Sequence, residues 1–284
     1  MKTIIVLTDF SKTAQNAANV ALEIACELKC TILLVNSYLI PFSIFSAEGE
    51  GRTLVDSALV ASASEIGLKK EARRLRRRLQ SRSEPAIEIL SSINNLSEII
   101  KTLQVTEKIA LVVCGVHQSS LPQFFSAIDA ESLLKKTKLP LLIVPKNYQR
   151  FHIENFVLAT DLQNGDIAAL EHIMNYAEKL HFHIHACHVS APVFIPDFNL
   201  EEKVQKFEHA VSKLADGNIS FYLLKEKNIT KAIHKFNKAI KAEMLGIIYH
   251  PHSLAWKLLH ESHTSQFMKR QKSLLLVLPQ LVEI

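Results

Sequence analysis

The fold is decided by a stretch that occurs twice, as Ile4-Ile5-Val6-Leu7-Thr8-Asp9 and, 152 residues later, as Phe156-Val157-Leu158-Ala159-Thr160-Asp161. Each copy is a short, continuous apolar run that is followed by Thr-Asp. Such a run without polar alternation is typical of a strand that is buried on both faces of a parallel sheet. The Thr-Asp pair then stands at the carboxyl end of the strand, and ligands bind at this edge of open parallel sheets.

The repetition extends from this stretch over the whole chain. Ala25 is matched at the same spacing by Ala177, and Leu141–Pro145 is matched by Leu275–Pro279 near the end. The closing match has an offset of 134 residues, so the second half is 18 residues shorter in its middle. Because the same pattern occurs twice in a chain of 284 residues, the sequence predicts two domains, residues 1–149 and 150–284.

Each half alternates short apolar runs with longer segments of helical periodicity. The strands are predicted at 3–8, 31–36, 86–90, 110–114, 141–144, 155–160, 183–189, 219–224, 245–249 and 274–278. The helices are predicted near 12–28, 53–80, 95–105, 129–137, 166–180, 199–215, 229–242 and 262–271, with Ser11 as the first N-cap. Alternating strands and helices predict the α/β class, with a parallel sheet and helices on both faces, because parallel strands need crossover connections.

The composition excludes several classes of protein. Hydrophobic residues make up 48% and charged residues 21%, as in soluble globular proteins. No apolar run approaches the roughly 18 residues of a membrane span, and the N-terminal run is too short for a signal peptide. The seven glycines form neither G-x-G-x-x-G nor G-x-x-x-x-G-K-[ST], which excludes both common phosphate-binding loops. The four cysteines form no C-x-x-C pair and are expected in the core of a cytoplasmic protein.

Most of the net charge of +5 comes from a basic run within Lys69–Leu79. Leu68, Ala72, Leu75 and Leu79 keep helical spacing through this run, so it is interpreted as the solvated face of a helix. The run contains no aromatic side chains for stacking on bases. We therefore expect no specific nucleic-acid site here and no membrane partner.

Several segments resemble a known family, the universal stress proteins. Lys2–Ser11 with its alanine-rich helix through Leu28 carries the resemblance, as does Val112–His117, which is followed by a helix and Leu139–Pro145. The second half repeats the pattern less closely, with Leu258–Ser262 and a closing leucine-rich strand, so the chain resembles a tandem member. The resemblance implies two Rossmann-like domains, each with a five-stranded parallel sheet, related by a pseudo-twofold axis like a homodimer of single-domain members.

The resemblance also implies a nucleotide site in some family members, which bind ATP. The binders carry an Asp after the first strand and the pattern G-x-x-G, nine residues, then G-[ST]. In the first half Asp9 and Gly115 match, but Gln118 and Ile128-Asp129 (Ala127-Ile128 in the alternative alignment) do not. In the second half Asp161 and Ser262 match, whereas His250, Ser253 and Glu261 replace the glycines. Small residues let phosphate oxygens approach backbone N–H groups, so both phosphate loops are interpreted as degraded.

On this basis the candidate nucleotide-binding residues are Thr8, Asp9, Val35, Gly115, His117, Asp161 and Ser262. We expect no required cofactor, and only weak binding of ATP or AMP. Histidines offer a metal site as a further option. His183 and His185 share one strand face, and the favoured metal ligands are a second group, His250, His252, His260 and His263.

The motifs of known catalytic sites are absent from the sequence. There is no G-x-S-x-G, and no cysteine has an evident histidine partner. We therefore expect a non-enzymatic stress-response or regulatory protein, and the alternative is a member that switches on ATP or AMP occupancy of one domain. The two halves should pair through antiparallel strands that end at Pro145 and Pro279, because each is a short apolar strand at the edge of a sheet. A homodimer and a separate protein partner are both left open.

Overall fold

A computed structural model describes residues 2–38, 57–79, 85–93, 95–116, 130–148, 151–190, 199–214, 218–249 and 273–279. Within these ranges the chain forms ten strands and seven helices, and the predicted α/β class with mostly parallel strands is confirmed. Two compact units divide the chain, Met1–Gly115 and Val116–Ile284. The predicted domain boundary at 149/150 follows the sequence repeat and stays a prediction.

The first unit is a parallel sheet in the order β3-β2-β1-β4. Its elements are β1 (Lys2–Leu7), α1 (Lys12–Leu28), β2 (Thr31–Ser37), α2 (Ser57–Arg78), β3 (Ile87–Ser92), α3 (Leu96–Thr106) and β4 (Lys108–Val116). The chain leaves β1 toward β2 and β3, then returns to place β4 on the other side of β1. The carboxyl ends of β1 and β4 are therefore the topological switch point, where ligands bind in open α/β sheets.

The second unit has the strand order β5-β10-β9-β6-β7-β8. Its elements are α4 (Ala130–Thr137), β5 (Leu141–Pro145), β6 (Asn155–Ala159), α5 (Asn164–Leu180), β7 (His183–Ser190), α6 (Leu200–Leu214), β8 (Ile219–Lys225), α7 (Ile229–Ile240), β9 (Met244–Tyr249) and β10 (Leu274–Pro279). All neighbours among β6 to β10 are parallel, and the switch point lies between β6 and β9. The predicted helix near 262–271 lies outside the described residues.

The last strands of the two repeats, β5 and β10, pair with each other in antiparallel orientation, as predicted. Leu142 lies opposite Leu276, and these two leucines are equivalent residues of the repeats. A pairing centred on equivalent residues is what a local twofold relation between two strands requires. The pairing also satisfies the backbone N–H and C=O groups along one edge of each of these two apolar strands, and such an edge would otherwise invite aggregation.

The helices follow from their caps and their apolar faces. Ser11 has the extended backbone of an N-cap, and its Oγ accepts from the backbone N–H of Ala14 at 3.2 Å, as predicted. Lys29 ends α1 and His181 ends α5, both in the left-handed conformation, with their N–H groups bonded to Ala25 and Ala177. The two repeats therefore stop their first helix in the same way without glycine.

The basic run forms the second half of α2, as the leucine spacing predicts. Leu68, Ala72 and Leu75 are buried against the sheet, and most of the cationic side chains are exposed. Arg74 is the exception, because its guanidinium holds the buried Glu71 carboxylate at 2.6 Å and donates to Asn19 at 2.8 Å. No helix in the described ranges is long and apolar enough to span a membrane.

Candidate functional site

Thr8 and Asp9 form a tight turn at the carboxyl end of β1. The N–H of Thr8 donates to the carbonyl of Val35 at 2.9 Å, and Thr8 Oγ1 accepts from the N–H of Phe10 at 3.0 Å. Phe10 has a φ of 65°, which turns the chain sharply toward α1. Asp9 Oδ1 accepts from the N–H of Ser11 at 2.9 Å while the side chain stays exposed. Three of the predicted site residues, Thr8, Asp9 and Val35, are thus brought together.

A chain of buried polar groups lies beside this turn and was missed from the sequence. Asn36 Nδ2 donates to the carbonyl of Thr8 at 2.6 Å, and Asn36 Oδ1 accepts from Ser64 Oγ at 2.7 Å. Ser91 Oγ in turn donates to Ser64 Oγ at 2.7 Å. These bonds tie the ends of β1, β2 and β3 to α2. A satisfied polar network of this kind holds the strand ends in one arrangement.

Gly115 is placed at the switch point by packing against the start of α1. A Cβ atom at this position would lie 2.3 Å from the carbonyl oxygen of Thr13 and 3.0 Å from the backbone nitrogen of Ala14. Any side chain there would push α1 away from the sheet, because backbone cannot yield as a flexible side chain can. The glycine is therefore required by the close approach of strand and helix, whatever ligand binds nearby.

The second repeat reproduces the same turn at the end of β6. The N–H of Thr160 donates to the carbonyl of Cys187 at 3.0 Å, and Thr160 Oγ1 accepts from the N–H of Leu162 at 3.0 Å. Leu162 has a φ of 57°, which matches Phe10. The Thr-Asp sequence therefore forms the same backbone turn in both repeats.

Asp166 distinguishes the second repeat from the first. Its side chain is fully buried, and Oδ2 accepts from Thr160 Oγ1 at 2.6 Å, Asp161 N at 3.0 Å and Gln163 N at 3.3 Å. The equivalent residue in the first repeat is Ala14, which accepts none of these bonds. A carboxylate at the start of a helix is stabilised by the helix dipole. The carboxyl end of β6 thus already contains a fixed negative group of its own.

His188 occupies the position that Asn36 has in the first repeat. Its Nδ1 donates to the carbonyl of Thr160 at 2.8 Å, as the Asn36 amide does to Thr8. Only a donor fits opposite a carbonyl oxygen, so Nδ1 carries the hydrogen. The repeat spacing of 152 residues could have identified this residue, because it aligns His188 with Asn36 just as it aligns Cys187 with Val35.

The strand register suggests a second counterpart for Gly115 besides His250. Ile4 pairs with Leu111 after a register shift between Thr3 and Ile4, and its repeat Phe156 pairs with Met244, so counting four residues on along each strand places Ile248 level with Gly115. His250 lies outside the described residues, and its alignment with Gly115 stays a prediction. Ile248 is buried, and the second repeat therefore has a branched apolar side chain where the first has glycine.

The other predicted site residues divide into two sets. Asp161 lies half-buried at the end of β6, next to Thr160. The residues outside the described ranges are His117, Ser262, His250, His252, His260 and His263. Their roles stay predictions. Within the described part of the chain, no group of three or more potential metal ligands is brought together.

Comparisons with known proteins agree with this architecture. A family model described as the universal stress protein family matches residues 1–145. A solved universal stress protein from Archaeoglobus fulgidus DSM 4304 is 14% identical, with a TM-score of 0.61 over 98% of this chain and 96% of that chain. A functionally unknown protein from Pseudomonas aeruginosa PAO1 is also 14% identical, with a TM-score of 0.55 over 99% of this chain and 93% of that chain. A search of curated protein sequences finds no match.

Proposed function

Because this chain belongs to the universal stress protein family, we propose that it is a non-enzymatic, cytoplasmic stress-response or regulatory protein whose nucleotide sites have lost the groups that hold a triphosphate. It is a tandem member, and the two repeats place two equivalent turns at the switch points of the chain. The proposal concerns what these two positions can bind.

The observation that carries the proposal is the buried Asp166 carboxylate at the end of β6. All three donors around its Oδ2 are already used to hold it in place. A phosphate that approached this end of the strand would meet a like charge, which costs on the order of 1 kcal/mol or more at close range in a partly solvated site. The side chain of Ile248 further removes the small residue on which close approach to the backbone depends.

The phosphate loops support the same conclusion from their composition. In the first repeat Gln118 and Ile128-Asp129 stand where nucleotide-binding members have small or hydroxyl residues, and in the second Glu261 does. The absence of a nucleophile motif and of paired carboxylates argues against turnover of any nucleotide that does bind. We therefore assign a binding or signalling role rather than a catalytic one.

The alternative, retention of an adenine nucleotide by the first repeat alone, is favoured by the exposed carboxylate of Asp9. The turn holds one carboxylate oxygen of Asp9 at the carboxyl end of β1, and a carboxylate there is able to accept hydrogen bonds from ribose or base. The neighbouring Ala14 adds no charge, in contrast with Asp166.

Calorimetry of the full chain with ATP, AMP and adenosine tests both readings. We expect ATP to bind more weakly than about 100 µM, equivalent to about 5.5 kcal/mol, with no gain over adenosine. Micromolar ATP binding with a clear preference for the triphosphate would contradict the proposal. Asp9→Asn and its matched control Asp161→Asn separate the alternative, because only Asp9→Asn should weaken adenosine binding if the first repeat retains a nucleoside. Mass spectrometry of the denatured protein shows whether any nucleotide is carried through purification.

A further inference from the structure

His183 and His185 form a pair of imidazoles at the beginning of β7, away from the strand ends that carry the Thr-Asp turns. Residues two apart on a strand face the same side, and the two ring centroids are 4.5 Å apart. The surrounding groups are Asn155 of β6 and Ser220 and Tyr222 of β8. The ring of Phe236 in α7 contacts that of Tyr222, with centroids 5.0 Å apart.

The hydrogen bonds of His185 determine which of its nitrogens carries the hydrogen. His185 Nε2 lies 3.0 Å from Asn155 Oδ1, and a carboxamide oxygen only accepts. Nε2 therefore carries the hydrogen, and Nδ1 holds the lone pair. This Nδ1 is buried and has no hydrogen-bond donor within reach among the described residues. A buried acceptor without a donor is rare in folded proteins and calls for an explanation.

His183 also has a hydrogen-bond partner for its Nε2 atom. Its Nε2 lies 3.0 Å from Ser220 Oγ, which is able to accept the hydrogen and leave the lone pair on Nδ1 as well. Burial lowers the pKa of His183, and burial together with the neighbouring His183 lowers the pKa of His185. Both rings are therefore neutral near pH 7, and the neutral imidazole is the form that binds metal ions.

We propose that His183 and His185 bind a divalent transition-metal ion of borderline hardness, such as Zn²⁺, through their Nδ1 atoms. Metal-bound histidines characteristically donate the other ring N–H to a fixed oxygen, and Asn155 Oδ1 and Ser220 Oγ are in that place here. Imidazole nitrogens suit Zn²⁺, Cu²⁺ and Ni²⁺, and do not suit Mg²⁺ or Ca²⁺. Because two protein ligands are fewer than a structural zinc site has, the site is one of exchangeable rather than permanent metal.

The test is calorimetric titration of the metal-free full chain with Zn²⁺ and, as the hard-cation control, Mg²⁺. His185→Gln keeps an amide donor near the place of Nε2 and removes Nδ1, and His209→Gln on the exposed face of α6 is the matched control. We expect the parent to bind one Zn²⁺ with micromolar affinity. The affinity should fall at least about tenfold in His185→Gln and should be unchanged in His209→Gln. Mg²⁺ should not bind.

A second variant tests whether the four histidines at 250, 252, 260 and 263 bind the metal instead. Replacing His250, His252, His260 and His263 together with glutamine should leave Zn²⁺ binding intact, and loss of binding in this variant would overturn the proposal. Equal affinity in His185→Gln, or no Zn²⁺ binding by the parent below about 1 mM, would also overturn it. If His185→Gln does not fold, ¹⁵N NMR of the parent decides. Zn²⁺ must then shift two Nδ1 resonances and leave the His185 Nε2–H in place, and any other pair of shifted nitrogens refutes the assignment.

Discussion

Asp166→Ala is expected to destabilise the second unit, because three hydrogen-bond donors lose their acceptor at once. Thr160 Oγ1, Asp161 N and Gln163 N all point to Oδ2 of a side chain with no solvent exposure. Each donor that loses a partner costs roughly 1 kcal/mol, and the carboxylate at the helix N-terminus contributes about 0.5–1 kcal/mol more. Removing a buried charge relieves part of its desolvation, so we expect a net loss of about 2–3 kcal/mol in the free energy of unfolding.

Urea unfolding followed by far-ultraviolet circular dichroism measures this loss. Asp166→Asn keeps one acceptor oxygen and should lose about half as much, because the charge and one lone-pair direction are removed but the shape is retained. Glu171→Ala, at an exposed position of the same helix, should stay within about 0.5 kcal/mol of the parent. A loss below about 1 kcal/mol in Asp166→Ala, or an equal loss in Glu171→Ala, would refute the assignment of Asp166 as the group that holds this turn together.

Three further predictions concern the histidine pair of β7 and the arginines of α2. The pKa values of His183 and His185 are lowered from 6.5 in the folded chain, so the unfolded chain takes up protons first as the pH falls through that value. As the pH is lowered from about 7.5 to about 5.5, the urea midpoint of the parent should therefore fall, and it should fall more than that of a variant with both His183→Gln and His185→Gln. An equal or smaller fall in the parent would contradict this. Arg73→Glu with Arg77→Glu should change the free energy of unfolding by less than about 0.5 kcal/mol and should not remove any sequence-specific DNA or RNA binding. Arg74→Met leaves the buried carboxylate of Glu71 without its cationic partner and should lower the free energy of unfolding by about 2 kcal/mol in the same assay. If Arg74→Met and the Arg73/Arg77 double change had equal effects, the burial of Arg74 would not distinguish it from the other arginines.

The strand ends were predictable from local patterns, whereas the contacts around them were not. The apolar run before Thr8 and Thr160 predicts a buried strand, and the repeat predicts that both turns are alike, which the φ values of Phe10 and Leu162 bear out. The polar groups beside the turn join Thr8 to Asn36 and Asn36 to Ser64, each 28 positions apart, and Ser64 to Ser91, 27 positions apart. No local rule connects such residues, because their proximity depends on the register of β1, β2 and α2.

The counterpart of Gly115 shows the same limit in an alignment. Sequence similarity equates it with His250, whereas counting along the register of β4 on β1, which shifts between Thr3 and Ile4, and of β9 on β6 points to Ile248, two residues earlier. A shift of two residues keeps every side chain on the same face of a strand, so the apolar pattern cannot detect it. Only the hydrogen-bonded pairing of the strands distinguishes the two alignments.

The sequence by itself determined the duplication, the α/β class, the helical interpretation of the basic run and the antiparallel pairing of β5 with β10. Each of these follows from periodicity, from burial or from the need to cover an apolar sheet edge, and these quantities are written along the chain. Only the tertiary structure decided that Asp166 fills the end of β6, that His188 stands in for Asn36, and that the His183 and His185 rings leave a buried nitrogen unpaired. The physical reason is that a hydrogen bond is directional over about 3 Å, so its partners are chosen by the packing of whole strands and helices rather than by their neighbours in sequence.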